Sequence, residues 1–144
     1  MKIDIKKLNE RAIVPTRGSR SAAGSDLYAC IPEGSVTVPS GKTVKIGTGL
    51  AIAVPDGYFG AVFARSGLAA KGLRPANCVG VADSDYRGEY IVALHNDTDE
   101  DMTVADGDRI AQLVVLPYLD VEFNETDELD STERGSGGFG STGR

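Results

Sequence analysis

The sequence has very few of the residues on which several kinds of enzyme depend. In 144 residues it contains one histidine, two cysteines and no tryptophan. A metal centre with several histidine ligands is therefore excluded, and any Ser-His-Asp or Cys-His catalytic set would have to use His95. His95 follows the apolar residues Ala93 and Leu94 and precedes an acidic segment, which predicts a position at the end of a strand. A pH-sensitive role for this side chain is the alternative.

The chain also lacks close cysteine pairs, long apolar runs and an excess of basic residues. Cys30 and Cys78 match no metal-binding spacing, and they predict small, buried, reduced thiols in a cytoplasmic protein. No apolar run approaches the ~18 residues of a membrane-spanning helix, and residues 1–7 lack the apolar stretch of a secretory signal. Lys and Arg number 15 against 21 Asp and Glu, a net charge of −6, so neither a nucleic-acid nor a membrane partner is expected.

Glycine, by contrast, is abundant, with 18 residues or about 12% of the chain against the usual ~7%. Glycines separate short β-favouring runs, among them 36–38, 43–46 and 58–63. Residues 50–54 alternate large aliphatic side chains with alanine, whereas 89–94 and 109–116 are more continuously apolar, as strands buried on both faces are. Evenly spaced short strands with turns between them predict an all-β antiparallel sandwich or barrel.

One short helix interrupts this pattern, and its start carries polar chemistry. The helix is predicted over Ser66–Lys71, with Ser66 as its N-cap and Gly72 at its end. Arg65 supplies a guanidinium immediately before it, and the first N–H groups of a helix lack backbone partners. Such a terminus suits an anion.

Three further segments place polar residues next to glycine. Asp26 follows Gly24 and Ser25, and Gln112 lies in the segment 107–112 at the entrance of a strand. Asp83 and Asp85, two positions apart, share one face of an extended chain and precede Tyr86. A polar β-turn without chemistry is the other interpretation of this last segment.

The C-terminal region has a different composition. From Asp120 to Glu133 acidic residues recur without a basic one, and glycine and serine dominate residues 134–144. Such a segment cannot bury enough apolar surface to fold alone, which predicts a disordered tail. Arg134 and Phe139, each set among glycines, favour a second interpretation: an arm that closes over a ligand with a flat base and a phosphate.

In chain order, five of these segments resemble the motifs of the homotrimeric dUTPase family: 23–27, 64–69, 80–89, 107–113 and 134–143. The similarity extends from about residue 15 to the C-terminus. It implies a distorted antiparallel β-barrel of jelly-roll type with one short helix. It also implies a barrel domain over residues 1–130 and a flexible glycine-rich arm over 131–144 that closes over the active site.

The resemblance further implies an assembly and a reaction. Identical subunits would form a homotrimer with three active sites at subunit boundaries, and each arm would reach a neighbouring site. The enzyme would hydrolyse dUTP to dUMP and pyrophosphate, with Mg²⁺ as cofactor, by attack of water on the α-phosphorus. This activity keeps uracil out of DNA and supplies dUMP for thymidylate synthesis.

The resemblance gives individual residues their expected roles. Asp83 would be the general base, Asp26 would hold Mg²⁺ through water, and Tyr86 would lie under the deoxyribose. The edge of uracil would be bound by Asn77, Gly80 and Val81. The phosphates would be contacted by Arg65, Ser66, Gly67 and Gln112. On the closing arm, the substrate would be bound by Arg134, Phe139 and Gly140.

Two other functions compete with this one. A dCTP deaminase of the same fold is opposed by the Arg65-Ser66-Gly67 triplet and the complete glycine-rich arm. A nucleotide-binding regulator without turnover is opposed by the presence of Asp83.

Overall fold

The computed structural model describes residues 1–138, which form twelve strands and one short helix. The strands are β1 (Asp4–Lys7), β2 (Thr16–Arg17), β3 (Ser25–Tyr28), β4 (Ser35–Val38), β5 (Thr43–Gly47), β6 (Leu50–Ala53), β7 (Tyr58–Phe63), β8 (Leu73–Pro75), β9 (Val79–Ala82), β10 (Ile91–Asn96), β11 (Met102–Ala105) and β12 (Arg109–Pro117). The helix α1 (Ser66–Ala69) lies between β7 and β8. The strand pairs of this region are antiparallel, which confirms the all-β prediction.

The strands pair into four sheets, of which the largest has the order β2-β3-β12-β7-β9. The other three have the orders β5-β10-β8, β1-β6 and β11-β4. Within residues 1–138 the pairing does not run around one closed barrel, and the jelly-roll arrangement is correspondingly distorted. In the largest sheet, Gln112 on β12 faces Asp26 on β3 and Phe63 on β7. Residues from three distant segments therefore lie side by side.

The core consists of the side chains that the sheets turn toward one another. Leu50, Ile52 and Val54 are buried, as their alternation predicts. The prediction of a strand buried on both faces over 89–94 is wrong: β10 begins at Ile91, which is 51% exposed, and only alternate residues from Val92 onward are buried. A strand of an antiparallel sheet can expose one face to water, and apolar side chains such as Ile91 occur on that face.

The helix is shorter than predicted and is capped differently. It ends at Ala69, and its N-cap is Arg65, whose side chain makes no capping hydrogen bond. Ser66 is instead the first helical residue, so its hydroxyl remains available to other partners. Gly72 lies beyond the helix end with φ +89°, a conformation that glycine adopts without a steric penalty, and it directs the chain into β8.

The two thiols are reduced but less buried than the sequence predicts. Cys30 is partly buried and Cys78 is exposed, because Cys78 lies in a tight turn with φ +60° rather than in a strand. Burial raises the pKa of the Cys30 thiol. No helix within residues 1–138 is long and apolar enough to cross a membrane.

Regular structure ends with β12. Residues 118–136 contain no strand or helix and are exposed. Several apolar side chains of this segment face solvent in the single chain, among them Leu119, Phe123 at 94% exposure and Leu129. Apolar side chains exposed in this number along one segment are candidates for an interface with another protein.

Candidate active site

A cleft of about 230 Å³ runs beside β9, and we name it the β9 cleft. β9 is an edge strand, so alternate residues direct their N–H and C=O groups away from β7 and toward the cleft side. The cleft is also lined by Pro75 and by the β10 residues Ile91, Val92 and Ala93. The predicted site residues that line this cleft are Asn77, Gly80, Val81, Asp83 and Tyr86.

Asp83 follows the last residue of β9 and is exposed. None of the ion pairs found within residues 1–138 includes its carboxylate. The turn that carries it is nevertheless held firmly: the Tyr86 N–H donates to the Asp83 carbonyl at 3.2 Å, and Arg87 Nη1 donates to the Ser84 carbonyl at 2.6 Å. The structure thus holds the main chain of this turn in place and leaves the Asp83 carboxylate exposed, where a ligand or a water molecule can reach its oxygens.

Tyr86 folds back over the turn that follows it. Its hydroxyl donates to the Glu89 carbonyl at 2.9 Å, and its ring lies so close to Gly88 that a Cβ there would collide with ring atoms. Its ring centroid is 6.1 Å from that of Tyr90, at an interplanar angle of 53°. The absence of a side chain at Gly88 therefore leaves room for the Tyr86 ring, which lines the β9 cleft.

A second cleft, of about 450 Å³, brings together Asp26, Arg65, Ser66, Gly67 and Gln112, and we name it the Arg65 cleft. Arg65 Nε is 2.7 Å from Asp26 Oδ1, and Arg109 Nη1 is 3.3 Å from Asp26 Oδ2. Two guanidinium groups thus share one carboxylate, which leaves one positive charge uncompensated. The first N–H groups of α1, at Ser66 and Gly67, add a positive dipole end to the same cleft.

Gln112 is held in the Arg65 cleft from two sides. Its Nε2 donates to the Ala64 carbonyl at 2.8 Å. A Cβ on Gly24 would stand only 2.5 Å from Gln112 Oε1, so the amide lies directly against the backbone of residue 24. The side-chain amide is consequently positioned before any ligand arrives.

The two clefts are distinct on one chain and share no lining residue. Val79 pairs with Phe63, and Phe63 pairs with Gln112, so two strand spacings, ~10 Å, separate Val79 from Gln112. Asp83 lies four residues further along the chain, which adds roughly 13 Å at right angles. The Cα atoms of Asp83 and Gln112 are therefore about 16 Å apart by this geometry.

The carboxylates do not build a resident metal site. Within residues 1–138 no three His, Cys, Asp or Glu side chains converge in a way that could hold a metal ion. Asp26, with a side chain only 13% exposed, is the carboxylate of the Arg65 cleft and already accepts from two arginines. A single carboxylate with both oxygens occupied fits a hydrated Mg²⁺ that would arrive with the phosphates and contact Asp26 through one of its retained waters.

The residues predicted for the arm are only partly described. Arg134 is exposed, and its Nε donates to the Gly137 carbonyl at 2.8 Å, within its own segment. It lines neither cleft of the single chain. Phe139 and Gly140 lie outside the described residues.

Comparison with known proteins gives this arrangement a family. The dUTPase family model matches residues 10–143. The chain belongs to the dUTPase family. The deoxyuridine 5'-triphosphate nucleotidohydrolases of Desulfitobacterium hafniense and Syntrophotalea carbinolica are 52% and 47% identical to it. The matches cover 99% and 98% of this chain and 95% and 96% of the relatives. The dUTPase of Staphylococcus bacteriophage 80alpha, solved with dUPNHPP, is 27% identical and superposes with a TM-score of 0.89 over 99% of both chains.

Membership of the dUTPase family confirms the resemblance inferred from the five motifs, and the superposition confirms the fold class. These matches support neither a deaminase nor a regulator without turnover. The roles of the individual site residues stay predictions.

Three residues in or beside these clefts had no role assigned from the sequence, although two of them, Arg109 and Glu89, lie within the motif segments 107–113 and 80–89. Arg109 contacts Asp26, but its partner is distant in the sequence. Glu89 and Tyr90 line the β9 cleft, and Tyr90 is 4% exposed with the one buried side-chain polar atom in residues 1–138 that lacks a hydrogen bond. The available signal for Glu89 was a charged residue at the start of an otherwise apolar run.

Proposed function

We propose that this chain hydrolyses dUTP to dUMP and pyrophosphate, with Asp83 as the general base. The observation that carries the proposal is the exposed Asp83 carboxylate, which lies at the β9 cleft on a hydrogen-bonded turn and forms no ion pair within residues 1–138. Asp83 takes a proton from a water molecule, whose oxygen forms a bond to the α-phosphorus. The bond from that phosphorus to the bridging oxygen breaks, and pyrophosphate leaves with the electron pair.

The open edge of β9 supports recognition of uracil. The base presents an acceptor, a donor and an acceptor along one edge, and backbone groups of Asn77, Gly80 and Val81 line the cleft where this edge would lie. Cytosine would set its amino group against a backbone donor and leave buried groups unpaired, which discriminates strongly. The methyl group of thymine would collide with the cleft wall. Tyr86 would lie under the deoxyribose, where a 2′-hydroxyl would collide.

The phosphates belong in the Arg65 cleft. Its uncompensated positive charge, the Ser66 hydroxyl, the N–H groups of Ser66 and Gly67 and the Gln112 amide are all suited to phosphate oxygens. Mg²⁺ bound to the triphosphate would neutralise charge that develops during the reaction. Asp26 would hold this ion through water, and Arg65 would remain beside the phosphates.

The separation of the clefts supports a homotrimer with shared active sites. On one chain the Cα atoms of Asp83 and Gln112 are about 16 Å apart, and a second copy that brings its β9 cleft to the first copy's Arg65 cleft would place the carboxylate closer to a nucleotide held at Gln112. The exposed apolar residues beyond β12 supply surface for such an interface. We infer a domain over residues 1–130 and an arm over 131–144, which would cross to a neighbouring site. There Arg134 would hold the γ-phosphate, and Phe139, beside Gly140, would stack on uracil. A cytoplasmic location remains a prediction.

One assay separates the proposed reaction from its alternatives. The purified chain with Mg²⁺ is incubated with dUTP, dCTP or dTTP, and pyrophosphate, ammonia and nucleotide products are followed. We expect pyrophosphate and dUMP from dUTP, with dCTP and dTTP slower by at least ~10²-fold. Ammonia from dCTP would identify a deaminase, and binding of nucleotide without products would identify a regulator.

Gly24→Ala tests the Arg65 cleft without removing a charged group. The added methyl occupies the position against which Gln112 Oε1 packs, so the amide must move away from the phosphates. Loss of a hydrogen bond to a charged group corresponds to ~10-fold in kcat/KM for dUTP. Gly18→Ala is the matched control, because Gly18 lines the same cleft and a methyl there meets no atom within 4 Å, so it adds the same bulk without displacing Gln112. Equal kcat/KM for the two variants would contradict the role of Gln112.

A further inference from the structure

The turn between β5 and β6 holds the chain segment that closes the β9 cleft. Thr48 is fully buried; its N–H and its hydroxyl both donate to the Tyr90 carbonyl, at 3.1 and 2.8 Å. The Tyr90 N–H donates to the Leu50 carbonyl at 2.8 Å. Gly49, with φ +67°, donates its N–H to Glu89 Oε1 at 2.7 Å. Residues 89 and 90 are therefore tied to this turn by both main chain and side chain.

The Glu89 carboxylate fits closely against this turn. Its Oε1 lies where a Cβ on Gly47 would collide with it, and it accepts from Gly49 two residues later. A side chain at either position would displace the carboxylate or strain the backbone, because Gly49 has a positive φ. The turn thus has the shape that admits a carboxylate from the segment after Tyr86.

Glu89 also contacts Tyr86 directly. The Tyr86 hydroxyl donates to the Glu89 main-chain carbonyl at 2.9 Å. The Glu89 side chain is held by the Gly49 N–H, and the peptide unit that contains the Glu89 carbonyl is held by the Tyr90 N–H to the Leu50 carbonyl, so both attachments of that carbonyl lead to residues 49 and 50, which do not line the cleft. Glu89 thus connects the turn to Tyr86 through two hydrogen bonds: the Gly49 N–H donates to Oε1, and the Tyr86 hydroxyl donates to the main-chain carbonyl.

We propose that Glu89 is a positioning residue. It holds the Tyr86 ring in the position at which a deoxyribose fits beside the ring and the 2′-hydroxyl of a ribose collides with it. This inference rests on the proposed function, in which Tyr86 lies under the sugar. Without the Glu89 carboxylate, this carbonyl keeps its main-chain attachment through the Tyr90 N–H but loses the side-chain one, so the carbonyl and the tyrosine ring shift together and a 2′-hydroxyl finds room. The effect falls on the choice between dUTP and UTP rather than on chemistry at the α-phosphorus.

Glu89→Ala and Glu89→Gln form the central comparison. The ratio of kcat/KM for dUTP to that for UTP is expected to fall by about ten-fold in Glu89→Ala, the scale of one lost hydrogen bond to a charged group. Glu89→Gln keeps an oxygen acceptor for the Gly49 N–H and should restore most of the ratio. A purely structural role would lower the melting temperature of Glu89→Ala and leave the ratio unchanged.

Asp106→Ala is the matched control. Asp106 also accepts from a backbone N–H, that of Ile31 at 2.8 Å, and this bond together with Arg11 lowers the pKa of its carboxyl. It lines neither the β9 cleft nor the Arg65 cleft. Its removal should lower the melting temperature without changing the dUTP-to-UTP ratio. An equal fall of the ratio in Asp106→Ala would overturn the inference.

A double-mutant cycle with Tyr86→Phe tests the route of the effect. If Glu89 acts through the Tyr86 hydroxyl, the double variant loses no more selectivity than Tyr86→Phe alone. Fully additive losses of selectivity in the double variant would overturn the inference. If Glu89→Ala does not fold, an unchanged dUTP-to-UTP ratio in Tyr86→Phe would overturn it as well. An assay of the wild-type chain distinguishes failure of the proposed function from failure of the inference about Glu89. If the wild-type chain releases no pyrophosphate from dUTP, the proposed function is wrong. The selectivity ratio is then measured from equilibrium dissociation constants of dUTP and UTP.

Discussion

Asp83→Asn is expected to lower the rate of dUTP hydrolysis by at least ~10²-fold, the scale of a lost general base, while dUTP still binds. Asparagine has nearly the same shape but cannot take a proton from water. Because the wild-type carboxylate makes no ion pair within residues 1–138, its replacement leaves no buried charge without a partner. Single-turnover rates and equilibrium binding of dUTP, measured on the same preparation, give the two quantities separately.

Asp85→Asn provides the control for this experiment. Asp85 lies two residues away on the same exposed turn, so its replacement makes the same change of charge and size. Its hydrolysis rate should stay close to that of the wild-type chain. If Asp83→Asn were nearly as active as Asp85→Asn, Asp83 would be no more than a turn residue and the proposed mechanism would be wrong.

Removal of residues 134–144 is expected to lower kcat/KM for dUTP by ~10²-fold or more, because the substrate is then neither enclosed nor held in its reactive position. The melting temperature should change little. Residues 118–136 are exposed, and the contacts of Arg134 in the described region stay within its own segment. Steady-state kinetics and thermal unfolding of the truncated chain measure the two effects.

Two point variants show which part of the arm acts. Arg134→Ala should chiefly weaken binding of the triphosphate, and Phe139→Ala should chiefly weaken binding of the base. A shorter deletion, of residues 141–144, leaves both side chains in place and serves as the control. A truncation that lowers the melting temperature as much as the activity would show that the segment is structural.

Much of the fold could be predicted from local pattern. The alternation identified Leu50, Ile52 and Val54 correctly as buried positions, but Ala51 between them is buried as well, so the second face of this strand is also partly covered. The apolar run at 89–94 led to the wrong prediction of a strand buried on both faces, because an apolar side chain such as Ile91 also occurs on the solvent face of a strand. The helix cap was missed because Arg65 takes the N-cap position while its side chain pairs with Asp26, a residue 39 positions earlier.

The site was predicted in its residues but not in its layout. Sequence motifs identify Asp83 and Gln112 as candidates, yet only strand register shows that β7 separates the strands that carry them. The contact between Glu89 and the turn at Gly49 joins residues 40 positions apart and leaves no local signature. Pairwise contacts of this kind depend on tertiary packing, which a single sequence does not display.

The edge position of β9 has a consequence for solubility as well as for ligand binding. An open strand edge can recruit a strand from another molecule and so begin aggregation. β9 limits this hazard by its length of four residues, and the left-handed turn at Cys78 bends the chain away immediately before it. A short edge strand of this kind offers few free main-chain groups to a strand of another molecule.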